Sequence, residues 1–485
     1  MRRLVLYLGV GFVVSRAAYW AAGVRFDATP LDYFWQYLDP ALLRMDLLRS
    51  CFYLHCQPPF FNMFLGAVLK LPPDAVGPVF HGTFLSASFL VAVAILLLQI
   101  KLGVRKSVAF AVAVIFMVSP SSVLYEHWLF YTLPAAGLLI WSAVSLRAFV
   151  ESRRTSAAMC TFILLALLVG TCSVFHLAHF VLVVAAFIVV CRRHWRRVAI
   201  AALLPLLVLV ALSAKNLVLF GEFASSTWLG MNVWGTTGRN LQTHVRERLV
   251  DEGKLSSLAL VPPFSRLSRY PESYALVSGF DDVPALSRAE KSTGASNMNH
   301  LAYVGISNGY AEDAFFVARH YPGAVCTGFA RAWFQYFKST TDDGFLSDNR
   351  SEIAAVASFY DRVFYGELPF DLSRVGRLPI YSRARHHRAY MFLMIGLPGL
   401  VGWGALLALR SHRRGAGLDS ASRTLVLYLC FNIVYVAVVT NSLVMAENNR
   451  IRFMTDPLSV VLVGLLLERL LARATESRAR AAAGT

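Results

Sequence analysis

The stretch Tyr53-Leu-His-Cys-Gln-Pro-Pro-Phe-Phe-Asn62 decides how the chain around it is arranged. Each proline lacks a backbone donor, and the residue before a proline is driven out of the α-helical region, so no helix can continue through Pro58-Pro59. The chain must turn or extend here, which holds His55 and Gln57 on a stiff frame. The apolar run from Phe60 to Leu71 has about twelve residues, too few to cross ~30 Å of hydrocarbon. We expect it to lie at a membrane surface or to dip into a helix bundle.

The composition of the chain is that of a membrane protein. Of its 485 residues, 56% are hydrophobic, and the mean hydropathy is +0.54, both above the values typical of soluble domains. Lys and Arg outnumber Asp and Glu by 46 to 29, which gives a formal net charge of +17. A nucleic-acid-binding protein gathers such charge into a stripe or arm on a soluble domain, whereas the arginine clusters here lie between apolar runs. We therefore expect membrane lipids around the chain and no nucleic-acid partner.

The apolar runs predict an all-α polytopic membrane protein with about ten transmembrane helices. They cover residues 4–23, 78–98, 108–124, 131–150, 157–172, 176–191, 198–214, 389–410, 424–440 and 458–471. Arg16 lies in the first run, where a charge is costly in lipid, so its side chain should face a protein interior or an aqueous cavity. It is either part of a site or the structural partner of a buried acid. A cleaved signal peptide is the alternative interpretation of this first run.

The loops between the runs alternate in charge, which predicts the orientation of the chain. Lys and Arg cluster in every second loop, at 101–106, 153–154 and 192–197, and again after the last run. The intervening turns 125–128 and 173–176 carry neither residue type. By the positive-inside rule, both termini are cytoplasmic and the Pro-Pro stretch lies outside a plasma (inner) membrane.

The loop lengths divide the chain into three parts. Residues 1–214 form an N-terminal transmembrane region whose first outer loop, 24–71, contains the polar stretch quoted above. Residues 215–387 are long enough for a mixed, outer soluble domain inserted before the last three helices. Residues 388–485 form a C-terminal transmembrane region that ends in a basic cytoplasmic tail.

The first outer loop combines apolar residues at helical spacing with several carboxylates. The apolar positions between Leu31 and Leu48 predict one or two amphipathic helices lying in the membrane interface. The same loop contains Asp27, Asp32 and Asp39. Taken singly, each carboxylate fits a solvated helix face. As a group between a span and a stiff segment, they predict a catalytic role for at least one.

Several motifs occur in the order found in one group of membrane enzymes. Asp27 precedes His55-Cys-Gln-Pro-Pro by about thirty residues, and Glu447-Asn-Asn-Arg-Ile-Arg-Phe453 precedes the last run. Three more motifs follow a mid-chain run: Lys215-Asn216, Phe220-Gly221-Glu-Phe223 and Ser225-Ser226. In motif order and topology the chain resembles the GT-C superfamily of integral membrane glycosyltransferases, closest to the protein-mannosyltransferase and aminoarabinose-transferase branches. The resemblance implies a polyprenyl-phosphate sugar donor, a glycan, lipid or protein acceptor, and inversion at the transferred sugar.

Three positions depart from the pattern of that superfamily. Asp27 has no adjacent acidic partner, since the next carboxylate is Asp32. Gln57 stands where the family often has a histidine directly before Pro-Pro, and Thr132-Leu-Pro134 stands where many members have Asp-Pro. The identities of the base and of the donor sugar therefore stay open at this point.

Sugar transfer from a lipid phosphate needs a base for the acceptor hydroxyl and cations for the departing phosphate. The resemblance favours Asp27 as the base, with Asp39 and Asp32 in reserve. Arginine binds phosphate oxygens through paired hydrogen bonds, so Arg450 and Arg452 suit the leaving group. The predicted phosphate-binding set is completed by Asn449, Glu447 and Arg16. The predicted substrate-binding set is His55, Gln57, Asn62, Glu126, His127 and Lys215.

Each set has a structural alternative. Arg450 and Arg452 could anchor lipid headgroups, and His55 and Gln57 could stiffen the loop. For the whole chain, the competing class is a transporter or flippase for an anionic lipid or solute, which would also need Arg16 and paired arginines; a structural assembly subunit is a third class. The seven cysteines show no metal-ligand spacing, so no metal ligands are predicted. The sequence identifies no cofactor and leaves a divalent cation open.

Overall fold

The computed structural model describes residues 1–275, 279–371, 388–414, 418–444 and 446–483, and most of them are helical. The first half of the chain contains α1 (Arg2–Ala21), α2 (Pro30–Tyr33), α3 (Pro40–Met45), α4 (Leu47–Phe52), α5 (Phe60–Leu69), α6 (Pro73–Lys101), α7 (Lys106–Met117), α8 (Pro120–Glu126), α9 (Thr132–Ser152), α10 (Thr155–Val169), α11 (Leu177–Val190) and α12 (Trp195–Phe220). The second half contains α13 (Leu229–Thr236), α14 (Thr243–Asp251), α15 (Glu272–Ala275), α16 (Pro284–Ser287), α17 (Ala302–His320), α18 (Pro322–Tyr336), α19 (Ser347–Glu352), α20 (Ala354–Phe364), α21 (Leu397–Arg414), α22 (Ser420–Leu443), α23 (Asn448–Arg452) and α24 (Asp456–Ala483). Two short strands, β1 (Glu367–Asp371) and β2 (Arg388–Tyr390), pair antiparallel, with Glu367 opposite Tyr390.

These helices confirm a multi-pass α-helical membrane protein. Within the described ranges, six are long and apolar enough to cross a membrane: Arg2–Ala21, Pro73–Lys101, Thr132–Ser152, Arg192–Phe220, Phe392–Ser411 and Ser420–Leu443. The pair α7 and α8 passes the same test as one broken span bent by 53°. Each predicted apolar run contains a helix, but α10 and α11 have only 15 and 14 residues, and α24 becomes charged along its length. The number of ten spans stays a prediction.

The segments that connect these helices meet at two ends of the bundle. At the cap end, the meeting segments are 22–72, 119–131, 170–176, 221–275, 279–371 and 446–455. For example, the amide of Asp27 donates to the carbonyl of His127 at 2.7 Å. At the opposite, basic end, Arg105 in the loop after α6 pairs with Glu468 of α24 at 2.9 Å. Which end faces the cytoplasm stays a prediction.

The Pro-Pro segment interrupts the helices as predicted. α4 ends at Phe52 and α5 begins at Phe60, so residues 53–59 are non-helical. α5 has ten residues and packs against α3, α4 and α6. The amide of Phe60 donates to the carbonyl of Gly170 at 2.8 Å, and a Cβ atom at Gly170 would collide with the Phe60 ring. The short apolar helix is therefore docked on the end of α10.

The first loop folds into three short helices, α2 to α4, where one or two were predicted. Asp39 and Pro40 explain the start of α3, because the Asp39 carboxylate accepts the Ala41 amide at 2.9 Å and proline suits the first helical position. Met45 and Leu48 are 72% and 73% exposed, although both are large and apolar. Apolar side chains on the outside of short helices are typical of segments that lie in a membrane interface.

Residues 221–275 and 279–371 close over the first loop. Lys291 is buried and donates to the Phe34 carbonyl at 2.7 Å. α13 and α17 approach each other so closely at Gly230 that a Cβ atom there would collide with the Ser307 carbonyl. The predicted domain boundary at 215 falls inside α12, which continues to Phe220, and residues 372–387 lie outside the described residues. The assignment of this part as a separate soluble domain stays a prediction.

Candidate functional site

A cavity of about 370 Å³ opens at the cap end between the first loop, α13 and the segment that leads into α23. The first loop contributes Trp35, Gln36 and Gln57, and the last segment contributes Glu447 and Arg450. Further lining residues are Tyr131, Trp228, Asn232, Arg239 and Phe264. The fold thus brings the Pro-Pro stretch and the Glu447–Arg450 motif, which are distant in sequence, to one cavity.

Arg450 is the buried cation of this cavity. Its side chain is 1% exposed, and its guanidinium lies 4.6 Å from the centre of the Phe130 ring. Nη1 donates to the Thr132 hydroxyl at 3.1 Å, and Nη2 pairs with Glu447 Oε2 at 2.5 Å. Among the described residues, Nε has no hydrogen-bond partner. A buried guanidinium N–H without an acceptor is costly, so this edge of Arg450 is ready to bind an anion or another acceptor.

Three more polar atoms on the cavity wall share this condition. Gln36 Oε1, Gln57 Oε1 and Trp228 Nε1 are buried and lack a hydrogen-bond partner within the described part of the chain. Buried polar groups in folded proteins are normally hydrogen-bonded. Two acceptors and one donor on the same wall as Arg450 therefore suit a polar ligand that offers both hydroxyl donors and oxygen acceptors.

Two predicted site residues hold the cavity wall from behind. Asn62, in the first turn of α5, accepts the Leu38 amide at 2.8 Å and donates to the Gln36 carbonyl at 3.0 Å. Asn449 donates to the carbonyls of Ser339 and Asp342, both at 2.9 Å. Neither asparagine lines the cavity among the residues described, but Asn62 holds the backbone of Gln36, which does, and Asn449 is itself adjacent in sequence to Arg450.

The three predicted carboxylates of the first loop have other positions. Asp39 is buried, caps α3 and accepts both the amide and the hydroxyl of Ser292. Asp27 accepts the amide and the hydroxyl of Thr29 at 2.9 and 2.6 Å, and Asp32 is exposed. In the described structure none of the three lines the cavity. Their role as base stays a prediction.

His55 and Lys215 hold the first loop in place. His55 Nδ1 lies 2.8 Å from the Thr227 hydroxyl, and Nε2 lies 3.0 Å from the Asn299 carbonyl. Burial lowers the pKa of His55 to about 3, so the imidazole is neutral near pH 7. Lys215 Nζ donates to two backbone carbonyls of the first loop at 2.8 and 2.7 Å. These contacts support loop rigidity; substrate binding by either residue stays a prediction.

Arg16, Glu126 and His127 form a closed cluster beside α1 and α8. Arg16 Nε and Nη2 both donate to Glu126, and the remaining N–H groups donate to two serine hydroxyls and the Met117 carbonyl. His127 Nδ1 lies 2.8 Å from the Val123 carbonyl. Arg16 is therefore paired with a buried acid, as one of the two alternatives from the sequence expected, and its role in phosphate binding stays a prediction.

Arg452 is held mainly by backbone carbonyls, although its Nη2 lacks a hydrogen-bond partner among the described residues. It is fully buried, and Nη1 donates to the carbonyls of Tyr336 and Lys338 at 2.6 and 2.7 Å. Its Nε donates to Asp456 at 3.3 Å. These bonds tie α23 to the end of α18, and Arg452 is not among the described residues that line the cavity. The two arginines of the motif thus have different environments.

Sequence reasoning missed much of the cavity wall. Trp228, Arg239 and Phe264 lie in the long hydrophilic region, where no spacing or motif distinguishes them from packing residues. Asp342-Asp343 did carry a signal, an adjacent acidic pair, and they line a small cavity that shares Glu447 with the main one. The nearest carboxylates to Arg450 therefore come from the second half of the chain.

An apolar groove of about 460 Å³ lies beside the cavity. It is lined by the start of α11, by Leu209 and Leu212 of α12, and by Pro58 and Leu229. Pro58 follows Gln57 and Leu229 follows Trp228 in the sequence, so the groove and the cavity are lined by neighbouring residues of the same two backbone segments.

Over the ranges that the structure describes, no group of three or more His, Cys, Asp or Glu side chains is placed to hold a metal ion. No protein-family model matches this chain, and no curated protein sequence matches it.

Proposed function

We propose that this chain is an inverting membrane glycosyltransferase of the GT-C type, which moves a sugar from a polyprenyl-phosphate donor to an acceptor hydroxyl. The acceptor is a glycan, a lipid or a protein. In the proposed topology about ten spans cross the plasma membrane, both termini are cytoplasmic, and the cap end faces outward. The reaction takes place in the cavity that Gln57, Glu447 and Arg450 line.

The observation that carries the proposal is the position of the polar cavity directly beside the apolar groove. A lipid-linked sugar has an apolar chain, an anionic phosphate and a polyhydroxylated ring. The groove suits the chain, Arg450 suits the phosphate, and the unpartnered amide oxygens of Gln36 and Gln57 suit ring hydroxyls. A soluble nucleotide sugar would leave the groove without a role.

Arg450 would stabilise the departing phosphate. Its Nε and Nη2 groups point along one edge of the guanidinium, the edge that binds two oxygens of a phosphate in parallel. Nε has no partner among the described residues, and Nη2 is held by Glu447. Nη2 carries two N–H groups, so a phosphate that binds this edge would share Nη2 with the Glu447 carboxylate, which is partly exposed in the cavity.

Glu447 would then act as the base. The acceptor hydroxyl gives its proton to the Glu447 carboxylate, and the acceptor oxygen attacks the anomeric carbon of the sugar. The bond between that carbon and the phosphate oxygen breaks, and its electron pair leaves with the polyprenyl phosphate on Arg450. This assignment replaces the first-loop carboxylates by the one acidic residue that lines the cavity within the described ranges. Asp27 remains the rival base, because the resemblance favours it.

The test is transfer of radiolabelled sugar from a panel of polyprenyl-phosphate donors by the purified chain in lipid. We expect Glu447→Gln to lower transfer by about 10²–10⁴-fold with donor binding retained, because a positioned base contributes on that order. Asp27→Asn should transfer normally. The matched control is Glu151→Gln at the basic end, where Glu151 pairs with Lys101 far from the cavity. Full activity of Glu447→Gln with loss in Asp27→Asn would return the base to the first loop.

A flippase for an anionic lipid is the second candidate, because the groove and Arg450 suit lipid movement as well as transfer. It predicts that fluorescent polyprenyl phosphate crosses vesicle bilayers that contain the chain, without any sugar transfer. Transfer without such movement supports the enzyme, and movement without transfer from any donor supports the flippase.

A further inference from the structure

The backbone of the cavity wall is strained at two points. Across the described residues, three non-glycine residues have a positive φ: Arg153 at 57°, Phe264 at 60° and Ala446 at 84°. Two of the three, Phe264 and Ala446, line the cavity. Such left-handed residues carry steric strain and persist only where the surroundings fix them, often at ligand sites.

Phe264 is held in this conformation by a set of buried tyrosines. Tyr303 donates to the Ser265 carbonyl at 2.8 Å, directly after Phe264. Tyr310 donates to the Val261 carbonyl at 2.7 Å, and the Tyr270 hydroxyl accepts the Ser265 amide at 3.2 Å. Hydroxyl groups thus fix the loop on both sides of Phe264, which makes the strained residue a rigid part of the cavity wall.

The ring of Phe264 joins two tryptophans on the same wall. It stacks on Trp35 with centroids 5.5 Å apart and planes at 17°, and it meets Trp228 edge-on at 5.2 Å and 74°. Phe264 and Trp35 are only partly buried, so part of each ring is open to the cavity. The indole N–H of Trp228 is buried and lacks an acceptor among the described residues.

We propose that the partly exposed rings of Trp35 and Phe264, backed by the buried Trp228, form an aromatic platform that binds a pyranose ring. The C–H face of a pyranose is apolar and weakly positive, and it lies well on the negative face of an aromatic ring. The indole N–H of Trp228 and the amide oxygens of Gln36 and Gln57 then take the hydroxyl groups at the rim of the sugar. The strain at Phe264 keeps the platform in its binding geometry before the sugar arrives.

This inference deepens the proposed function, because it names a ring-closed hexose or pentose as the group held beside Arg450. It does not depend on transfer, since the platform should bind a sugar that lacks both phosphate and lipid.

The test is saturation-transfer NMR on the whole chain in lipid nanodiscs. The probes are methyl α-mannopyranoside, methyl β-glucopyranoside and methyl β-xylopyranoside, with sorbitol as an acyclic polyol that has no ring face. We expect transfer to ring C–H protons of at least one pyranoside and none to sorbitol. Phe264→Leu should lower the signal by roughly 2- to 10-fold, and Phe264→Tyr should keep it. Phe359→Leu, at an exposed ring on α20, is the matched control.

The absence of a pyranoside signal in the wild type would overturn the platform, as would equal signals in the wild type and Phe264→Leu. Thermal unfolding supplies an independent readout, because glycine adopts φ near 60° without strain. If the ring serves binding, Phe264→Gly should lose the signal, while relief of the strain partly offsets the lost packing on Trp35 and Trp228; a large fall in Tm with the signal retained would make the ring structural. Sugar binding without transfer would support the platform while the proposed function fails, and transfer without sugar binding would do the reverse.

Discussion

Arg16 and Arg450 are both buried beside a glutamate, yet the two sites differ in one respect. Every N–H group of Arg16 has an acceptor, and the Glu126 carboxylate accepts three of these hydrogen bonds. Arg450 has one N–H group without a partner in the described structure, and its glutamate is 21% exposed on a cavity. A closed pair of this kind has no N–H group left for a ligand, whereas an open one still has one.

The difference follows from where each pair lies. Arg16 and Glu126 join α1 to α8, where the pair is buried and an unpaired charge would be expensive. Glu447 and Arg450 lie in a short connection between α22 and α24, where the backbone is irregular and a cavity persists. The same pair of residue types therefore has two roles, which depend on the completeness of the hydrogen bonding around it.

The largest expected effect is on the closed pair. Arg16→Met leaves Glu126 buried without a counter-ion, so we expect the free energy of unfolding to fall by about 3–5 kcal/mol. Unfolding in detergent, followed by circular dichroism, measures this loss. The double variant Arg16→Met with Glu126→Leu removes both charges and should recover most of the stability. If the single variant is as stable as the wild type, the pair does not stabilise the fold and the comparison fails.

The next effect is on the open pair, and it should appear in activity. Arg450→Gln keeps one amide donor but removes the charge, so we expect transfer to fall by about 10²–10³-fold. The measurement is sugar transfer in lipid, beside the Tm of the same preparation. Arg147→Gln is the control, because Arg147 is a buried arginine that pairs with Glu151 away from the cavity. If Arg450→Gln instead lowers the folded fraction, and the protein that does fold is fully active, the Glu447–Arg450 pair is structural, like the Arg16–Glu126 pair.

The sequence predicted the Glu447–Arg450 pair better than it predicted the other residues of the cavity wall. Glu447 and Arg450 were found because arginines near the end of an apolar run stand out from an uncharged background, and Gln57 was found because two prolines fix its neighbourhood. Local sequence alone also predicted three structural features: the membrane class, the break at Pro58-Pro59 and the short α5.

Other features depend on contacts between residues that are far apart in the sequence, so no local pattern predicts them. Asp39 was a candidate base, but Ser292, more than 250 residues away, supplies two of its hydrogen bonds. Trp228 and Phe264 reach the cavity because α13 and the tyrosine-held loop fold over the first loop, which no local periodicity reveals. The number of spans stayed open because α10 and α11 are shorter than a bilayer core requires.

Unlike the two buried arginines, His55 is a buried group that is neutral near pH 7. Its folded pKa of about 3 lies below the unfolded value of 6.5, so the unfolded chain binds more protons between these values. The stability that neutral His55 supplies is complete above pH 6.5 and is lost as the pH falls toward 3. We expect the free energy of unfolding to fall by at most about 1.4 kcal/mol per pH unit in this window. Denaturant unfolding from pH 7.5 to 4.5 measures the slope.

The control for His55 is the exposed His320 on α17. His55→Gln should flatten the pH dependence, whereas His320→Gln should leave it unchanged. An equal slope in the wild type and His55→Gln would show that other groups cause the acid sensitivity.

The smallest expected effect concerns the backbone directly before Glu447. Ala446 precedes Glu447 and has φ of 84°, which glycine adopts without steric cost. Ala446→Gly should therefore change stability by only about 0–1 kcal/mol, in the stabilising direction, because relief of strain is partly offset by the freedom that glycine gains in the unfolded chain. If the strain positions Glu447 and Arg450 for phosphate, transfer should nevertheless fall.

Arg153→Gly relieves a similar φ of 57° at the basic end, and it should alter the Tm without changing transfer. Equal transfer rates in the two variants would mean that the strain beside Glu447 belongs to the turn alone, and that the hydrogen bonds of Arg450 suffice to hold the site open.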